Sequence, residues 1–336
     1  MNAPFDPAAA AEILLTSLHL PGASEVVPLP GGRNNQVWRV ESGARRFLLK
    51  RYFWSETDPR DRLGQEWAFL QYLREVQSLD APEPLAKDPS SRCALLEFIE
   101  GTPVEISDVT TGDVHAAAEF FLRMNAQRAT AGSLSPVSEA CFSIESHLAT
   151  VNDRVSRLSS IACDSETHEA AKKFIQSTIL PFWTDLNRQI RSVAGSSLSS
   201  ILPPEERCVS PSDFGFHNSL RQQDGTLRFL DFEYAGWDDP AKTMIDFCNQ
   251  PDRLLPDHLA AIFHEQTIPS FPSPESLRTR ITLLEPLYQL KWACICLNGF
   301  LPGHSFTALN PDRSASAQLT RANVMALRAA VSFKPA

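Results

Sequence analysis

The sequence predicts an α+β fold, with a small, mostly β amino-terminal part and a larger, mostly helical remainder. Three observations carry this. Short apolar runs bounded by turn residues fill the stretch from Glu25 to Ile99. From Val104 onward apolar residues recur at helical spacing. The β signal that interrupts this helical remainder is an Asp-Gly pair at Asp224-Gly225, set between two short apolar segments as in a hairpin. The expected division is 1–101 as a first lobe and 102–336 as a second, with the change at the Gly101 turn.

Taken in order, residues 7–18 read as an amphipathic helix. Glu25–Pro28 and Gln36–Val40 read as strands around the loop Leu29-Pro30-Gly31-Gly32-Arg33-Asn34-Asn35, and Arg45–Phe53 as a third strand after a Ser42-Gly43 turn. A strand, a Gly loop and a strand let backbone amides approach phosphates closely. A Gly pair alone is most often only a turn, and neither G-x-G-x-x-G nor a Walker A sequence is present. Lys50 ends the apolar run Phe47-Leu48-Leu49. A Lys there is either a snorkelling edge residue or a phosphate-binding ammonium held by a carboxylate on the next helix. That helix is expected over Pro59–Arg74, where Leu63, Trp67, Leu70 and Leu73 form a stripe; Glu66 flanks it and Glu75 lies past it. Ala94–Ile99 is a short strand entering the turn Glu100-Gly101-Thr102-Pro103.

Helices follow at Val114–Arg123, at Ile144–Ser159 and through His168–Val193, where Pro181 should kink or split the run. Further helices are expected at 255–267, 275–300 and 315–332, with Pro286 a candidate break in the second.

The stretch Val209–Phe247 carries the chemistry. Asp213 and Asn218 sit in a polar, Gly-containing loop. A turn at Gln223-Asp224-Gly225 leads into Leu227-Arg228-Phe229-Leu230, and Asp231 closes that strand. The hairpin brings Asn218 and Asp231 to one end. Singly, each is an ordinary polar loop residue. Together they suit phosphoryl transfer: Asp213 to orient or deprotonate a hydroxyl, Asn218 and Asp231 as hard oxygen ligands for Mg²⁺.

This stretch resembles the catalytic segment of the aminoglycoside phosphotransferase and choline kinase family, relatives of the protein kinases. The family pattern H-G-D-x-x-x-x-N, a hairpin, then I-D-[FW]-E-x-A-x-x-G-D-P-x-x-D-[LF] stands here as Pro211-Ser212-Asp213-Phe214-Gly215-Phe216-His217-Asn218, then Leu230-Asp231-Phe232-Glu233-Tyr234-Ala235-Gly236-Trp237-Asp238-Asp239-Pro240, then Ile245-Asp246-Phe247. The resemblance implies a bilobal protein-kinase-like fold. It makes Asp213 the catalytic aspartate, Asn218 and Asp231 metal ligands, and Asp246 a buried anchor. Gly31-Gly32-Arg33-Asn34-Asn35-Gln36-Val37-Trp38-Arg39-Val40 resembles the family's G-G-x-x-N-x-x-[YW]-x-V, which adds Gly31, Gly32 and Asn35 to the nucleotide site. The same resemblance pairs Lys50 with Glu66 and assigns the backbone of Glu97 and Ile99 to the adenine edge. Pro211 departs from the family's His. Asp213-Phe214-Gly215 spells the protein-kinase metal motif but is a decoy, since the stretch Arg191–Ser200 upstream holds no Asp.

Composition bounds the partners. A net charge of −9 argues against nucleic acid. No apolar run is long enough for a membrane helix, and the start lacks a basic signal-peptide region. Seven scattered Cys fit reduced thiols in a cytoplasm. The expectation is a cytoplasmic kinase transferring the ATP γ-phosphoryl group, with Mg²⁺, to a hydroxyl of a small metabolite: a sugar, an amino sugar or an amino alcohol, an aminoglycoside included. The choice of ATP over GTP and the oligomeric state are open at this level. The alternative is a non-catalytic kinase-like nucleotide-binding or scaffold protein, supported by Pro211. A protein kinase is disfavoured because A-P-E and an activation-loop-length insertion between Asp231 and Asp246 are both lacking.

Overall fold

Asp6 starts the first helix. Its carboxylate accepts the N–H groups of Ala8 (2.9 Å) and Ala9 (3.2 Å), and Pro7 takes the first helical position, where its missing N–H does no harm. In the computed structural model, which describes residues 5–30, 35–161, 165–304, 306 and 314–333, this is α1 (Pro7–Ser17). By packing, the chain divides into two compact units: Met1–Ser138 with Val209–Trp237, and Glu139–Cys208 with Asp238–Ala336. The expected lobe boundary at Gly101 is thus not where the packing divides the chain, and the hairpin around Asp224-Gly225 clusters with the amino-terminal segment.

The first unit is built on an antiparallel sheet of β1 (Glu25–Pro28), β2 (Gln36–Ser42), β3 (Arg45–Arg51), β4 (Pro84–Asp88) and β5 (Cys93–Glu97), in the order β1-β2-β3-β5-β4, with α2 (Arg62–Glu75) between β3 and β4. β4 was not anticipated; it is an edge strand that opens on Pro84, where a Pro is tolerated. Side chains alternate along β3. Phe47 and Leu49 therefore enter the apolar cluster with Val40, Leu95 and Ala11, Leu14 and Leu15 of α1, while Lys50 is directed to the other face. After the sheet, β6 (Thr102–Pro103) pairs antiparallel with Leu220 and Arg221 of a later strand, and α3 (Thr111–Ala126) starts on a capping box made by Thr110 and Asp113. The Gly101 turn lies so close to that later strand that a Cβ would meet the Arg221 carbonyl oxygen at 2.8 Å, so only Gly fits.

The second unit is helical: α4 (Ile144–Arg157), α5 (Glu166–Phe174) and α6 (Leu180–Ala194) come first. The expected split at Pro181 is real. A π-helical turn, Ile175–Ile179, separates α5 from α6, and Pro181 then lies in the first turn of α6. The proline has no N–H for the preceding turn and its ring crowds the carbonyl four residues back, so the ladder widens there. Between the two helical runs the chain forms β7 (Cys208–Ser210), β8 (Ser219–Arg221), β9 (Leu227–Phe229) and β10 (Gly236–Asp238), a stretch that packs mostly with the first unit. Then come α7 (Pro240–Cys248), α8 (Asp257–Thr267), α9 (Pro274–Cys296) and α10 (Ala315–Ser332). The candidate break at Pro286 does not occur: α9 continues through it, with Leu284, Leu287 and Leu290 fully buried around the proline. Burial of that face outweighs one lost backbone bond. The helix α7 was missed, although Asp239-Pro240 is an N-cap followed by a first-turn proline and Asp239 Oδ1 accepts the Ala241 N–H at 2.8 Å. Among the described residues no helix is long and apolar enough to cross a membrane.

Candidate active site

All the site residues predicted from the sequence that the structure describes fall in the first unit. Gly31 and Gly32 lie outside the described residues. Lys50 is 4% exposed, and its ammonium donates to Glu66 Oε2 and Asp231 Oδ1, each at 2.6 Å. Glu75 is thereby excluded as the partner. Glu66 does not flank the buried stripe of α2, as the sequence suggested, but lies on it: Arg62, Leu63, Glu66, Phe69, Leu70 and Leu73 are buried, whereas Trp67 is only partly so. The periodicity was misjudged because the buried face contains two charged residues. Glu66 Oε1 also accepts the Phe232 backbone N–H at 3.1 Å, so one carboxylate holds both the lysine and the residue after Asp231. Burial opposes a charge on Lys50, but Asp231 and Glu66 outweigh it and hold its pKa above the ordinary value.

The hairpin forms as the Asp-Gly pair dictates. Ser219 pairs with Phe229, Leu220 with Arg228 and Arg221 with Leu227, and Gly225 turns with φ +89°. The Leu230 N–H then donates to the Asn218 carbonyl at 2.9 Å, which brings Asn218 beside the residue preceding Asp231. Asn218 Nδ2 donates to the Asp213 carbonyl at 2.9 Å, turning its Oδ1 away from that loop. Asp213 Oδ1 is 3.1 Å from His217 Nε2. Two residues here have left-handed backbone angles, Ser212 (φ +67°) and Asp231 (φ +65°). Such non-glycine angles are uncommon and costly, and cluster at functional sites.

The Phe that follows each aspartate explains their placement. Phe214 and Phe232 are buried in one aromatic cluster, where Phe120 of α3 stacks on Phe229 (4.7 Å between centroids) and Phe69 of α2 meets Phe232 (4.9 Å). Both rings point into the core, and the preceding carboxylates stay accessible: the Asp213 and Asp231 side chains are 40% and 35% exposed.

The nucleotide-edge residues are placed as follows. Glu97 ends β5; its N–H donates to the Glu83 carbonyl at 2.9 Å, so any bond from its backbone to an adenine would fall to the carbonyl. The Glu97 carboxylate accepts from Arg228 Nη2 at 2.8 Å. Ile99 is buried. Asn35 is also buried and bonds Glu233 rather than facing solvent.

Sequence reasoning missed Asn125, on the last turn of α3. Its Oδ1 accepts the Val209 N–H at 2.8 Å and its Nδ2 donates to the Val209 carbonyl at 3.0 Å, which fixes β7 just ahead of Pro211 and Asp213. The Ser210 hydroxyl accepts the Ser212 N–H at 3.0 Å. An Asn near a helix end carries no distinctive sequence signal, because helix-end Asn residues serve many local bonds.

The family model of the phosphotransferase enzyme family (APH) matches residues 25–267. Among solved structures, the chain is similar to a spectinomycin phosphotransferase in complex with ADP and spectinomycin: TM-score 0.64, 11% identity, 98% of this chain and 99% of that one. It is similar to a choline/ethanolamine kinase family protein from Mesorhizobium loti, with TM-score 0.59 and 16% identity over 93% of this chain and 89% of that one. It is also similar to a choline kinase from Streptococcus pneumoniae, with TM-score 0.59 and 13% identity over 94% and 97%. No curated protein matches the chain by sequence. At these identities the structural likeness shows the shared kinase-like fold and nothing of the substrate. With the family model covering most of its length, the chain belongs to the phosphotransferase enzyme family.

Proposed function

We propose that this chain is a small-molecule kinase that transfers the γ-phosphoryl group of ATP to a hydroxyl of a small metabolite in the cytoplasm. The observation that carries the reading is Lys50, buried between Glu66 and Asp231 at 2.6 Å from each, beside a hairpin that presents Asp213 and Asn218. Phosphoryl transfer needs positioning and charge neutralisation more than covalent help from the protein. In this reading Lys50 holds phosphate oxygens while Glu66 keeps its ammonium in place. Asp213 orients the acceptor hydroxyl and takes its proton.

Asn218 and Asp231 are hard oxygen donors at one end of the hairpin, a set that suits Mg²⁺ rather than a thiophilic metal. Among the described residues no group of three or more His, Cys, Asp or Glu could hold an ion by itself. A site with few protein ligands matches the way Mg²⁺ is shared with substrate phosphates. When bound, the ion supplies charge neutralisation at those phosphates. Gly31, Gly32 and the backbone of Glu97 and Ile99 are assigned to the nucleotide. The acceptor class we favour is a sugar, an amino sugar or an amino alcohol.

The experiment is Mg·ATP titration beside ADP-release kinetics, across a metabolite panel. Asp213→Ala should keep Mg·ATP binding and lower turnover by about 10²–10⁴-fold, mainly in kcat. Asp231→Ala should lose Mg·ATP binding. Binding lost in the first and kept in the second would reverse the two aspartates. Nucleotide binding without turnover of any acceptor would favour the non-catalytic reading that Pro211 raises.

A further inference from the structure

Both ends of the Asn35 amide are committed to the protein. Its Nδ2 donates to Glu233 Oε2 at 2.7 Å and its Oδ1 accepts the Phe53 backbone N–H at 3.1 Å. Asn35 is 9% exposed and Glu233 4%. These two bonds join three segments. Asn35 leads into β2, directly after the Gly-containing loop. Phe53 lies just past β3, the strand that carries Lys50. Glu233 lies two residues beyond Asp231. Glu233 is itself held from α2, because Arg62 Nε is 3.6 Å from the same Oε2. Arg62 in turn donates to the Phe53 carbonyl at 3.2 Å and to Asp58 Oδ2 at 2.6 Å. The backbone of Phe53 is thus held at its N–H by Asn35 and at its carbonyl by Arg62.

We infer that Asn35 and Glu233 form a positioning clamp: Glu233 acts as the acceptor for Asn35, setting the spacing between the start of β2, the Lys50 strand and Asp231, and neither side chain is a direct ligand of nucleotide or cation. The clamp rests on the nucleotide-binding reading above for its consequence, though not for its geometry. A buried amide with its Oδ1 bonded to a peptide and its Nδ2 bonded to a carboxylate is shaped to join backbones. A carboxylate oxygen already shared by Asn35 and Arg62 is poorly placed to serve an ion as well. Displacing phosphate-binding elements by about an ångström relative to one another is enough to weaken a transfer site markedly.

The test uses the full chain with Asn35→Ala, Glu233→Ala, Glu233→Gln and the double variant Asn35→Ala/Glu233→Ala. Two readouts are taken: Mg·ATP affinity by calorimetric titration, and amide hydrogen exchange at Phe53 without nucleotide. The Gln variant keeps an oxygen that can accept from Asn35, so it separates the clamp from any need for charge and guards against a misfolded Ala variant. Each single Ala variant should weaken Mg·ATP by about tenfold, the scale of one buried hydrogen bond, and the double should fall within about threefold of the singles. Glu233→Gln should stay within about threefold of wild type, and Phe53 exchange should quicken by about tenfold in both Ala variants but not in Gln. A Gln variant as weak as Ala, or a double variant weakened about a hundredfold by independent losses, would overturn the clamp. If wild type itself fails to bind Mg·ATP, the kinase reading falls, and exchange at Phe53 still decides whether the clamp exists.

Discussion

Lys50 in the first unit and Lys291 in the second are both buried, and the two are wired oppositely. Lys50 meets two carboxylates, Glu66 and Asp231, and its pKa is raised although burial opposes the charge. Lys291, in the second unit, has both oxygens of one carboxylate, Asp246, at 2.7 and 2.6 Å. Burial there prevails over Asp246, the nearby Lys242 and Arg154 add repulsion, and its pKa is lowered. Two carboxylates per ammonium leave the first site with a surplus negative charge, and one of the pair, Asp231, remains 35% exposed. The second site is neutral as a pair and closed, with Trp292 Nε1 adding a third bond to Asp246 at 2.8 Å. The difference teaches that burial of an ion pair does not by itself mark chemistry. Under the proposed function, what sets the first site apart is a second carboxylate with access to solvent, free to exchange its partner for a ligand.

The sharpest way to break that comparison is to remove one carboxylate from each site. Asp246→Ala should destabilise the protein by about 3–5 kcal/mol, because it strands a buried ammonium, as measured by urea unfolding. Asp231→Asn should change stability by less than about 1 kcal/mol, since Lys50 keeps Glu66 and the aspartate is partly exposed. It should nevertheless weaken Mg·ATP binding. Equal stability losses in the two variants would mean that both pairs are structural.

A smaller effect should come from pH. His147 in α4 is fully buried; its Nε2 is 3.2 Å from Asp239 Oδ2 and its Nδ1 is 2.5 Å from the Tyr288 hydroxyl, with Cys141 close by. Burial disfavours its charge, but Asp239, itself bonded by Arg280 at 2.7 Å, and Cys141 favour it, and its pKa rises to about 9. A folded-state pKa above the unfolded one makes folding take up a proton. The stabilisation is full below the ordinary histidine value of about 6.5 and is lost as pH rises through about 9. Stability should therefore fall by about 3 kcal/mol between pH 6.5 and 10, and His147→Gln should flatten that slope. A slope unchanged in the variant would assign the pH dependence to other groups.

The smallest effect sets the baseline. Asp185 and Arg188 pair at 2.6 Å on α6, but both side chains are exposed. Asp185→Asn should change the unfolding free energy by no more than about 0.5 kcal/mol, less still in high salt. A larger shift would mean that geometry alone, without burial, makes these pairs strong.

Local chemistry alone made much of this molecule legible. The spacing of Asp213, Asn218 and Asp231, the Asp-Gly turn, the apolar run ending in Lys50 and the proline at 181 each act over a few residues, where hydrogen-bond closure and side-chain alternation dictate the result. The sequence by itself therefore determined the α+β class, most of the elements and the family. Other features belong to the tertiary structure alone: the choice of Glu66 over Glu75, the seating of Phe214 and Phe232 in one cluster, the hold of Asn125 on Val209 and the link from Asn35 to Glu233. Asn35 and Glu233 stand 198 residues apart and Asn125 and Val209 84 apart, and no local preference joins such residues. Packing brings them together, and once they are buried their polar atoms must find partners, which is the physical reason the site closes around them.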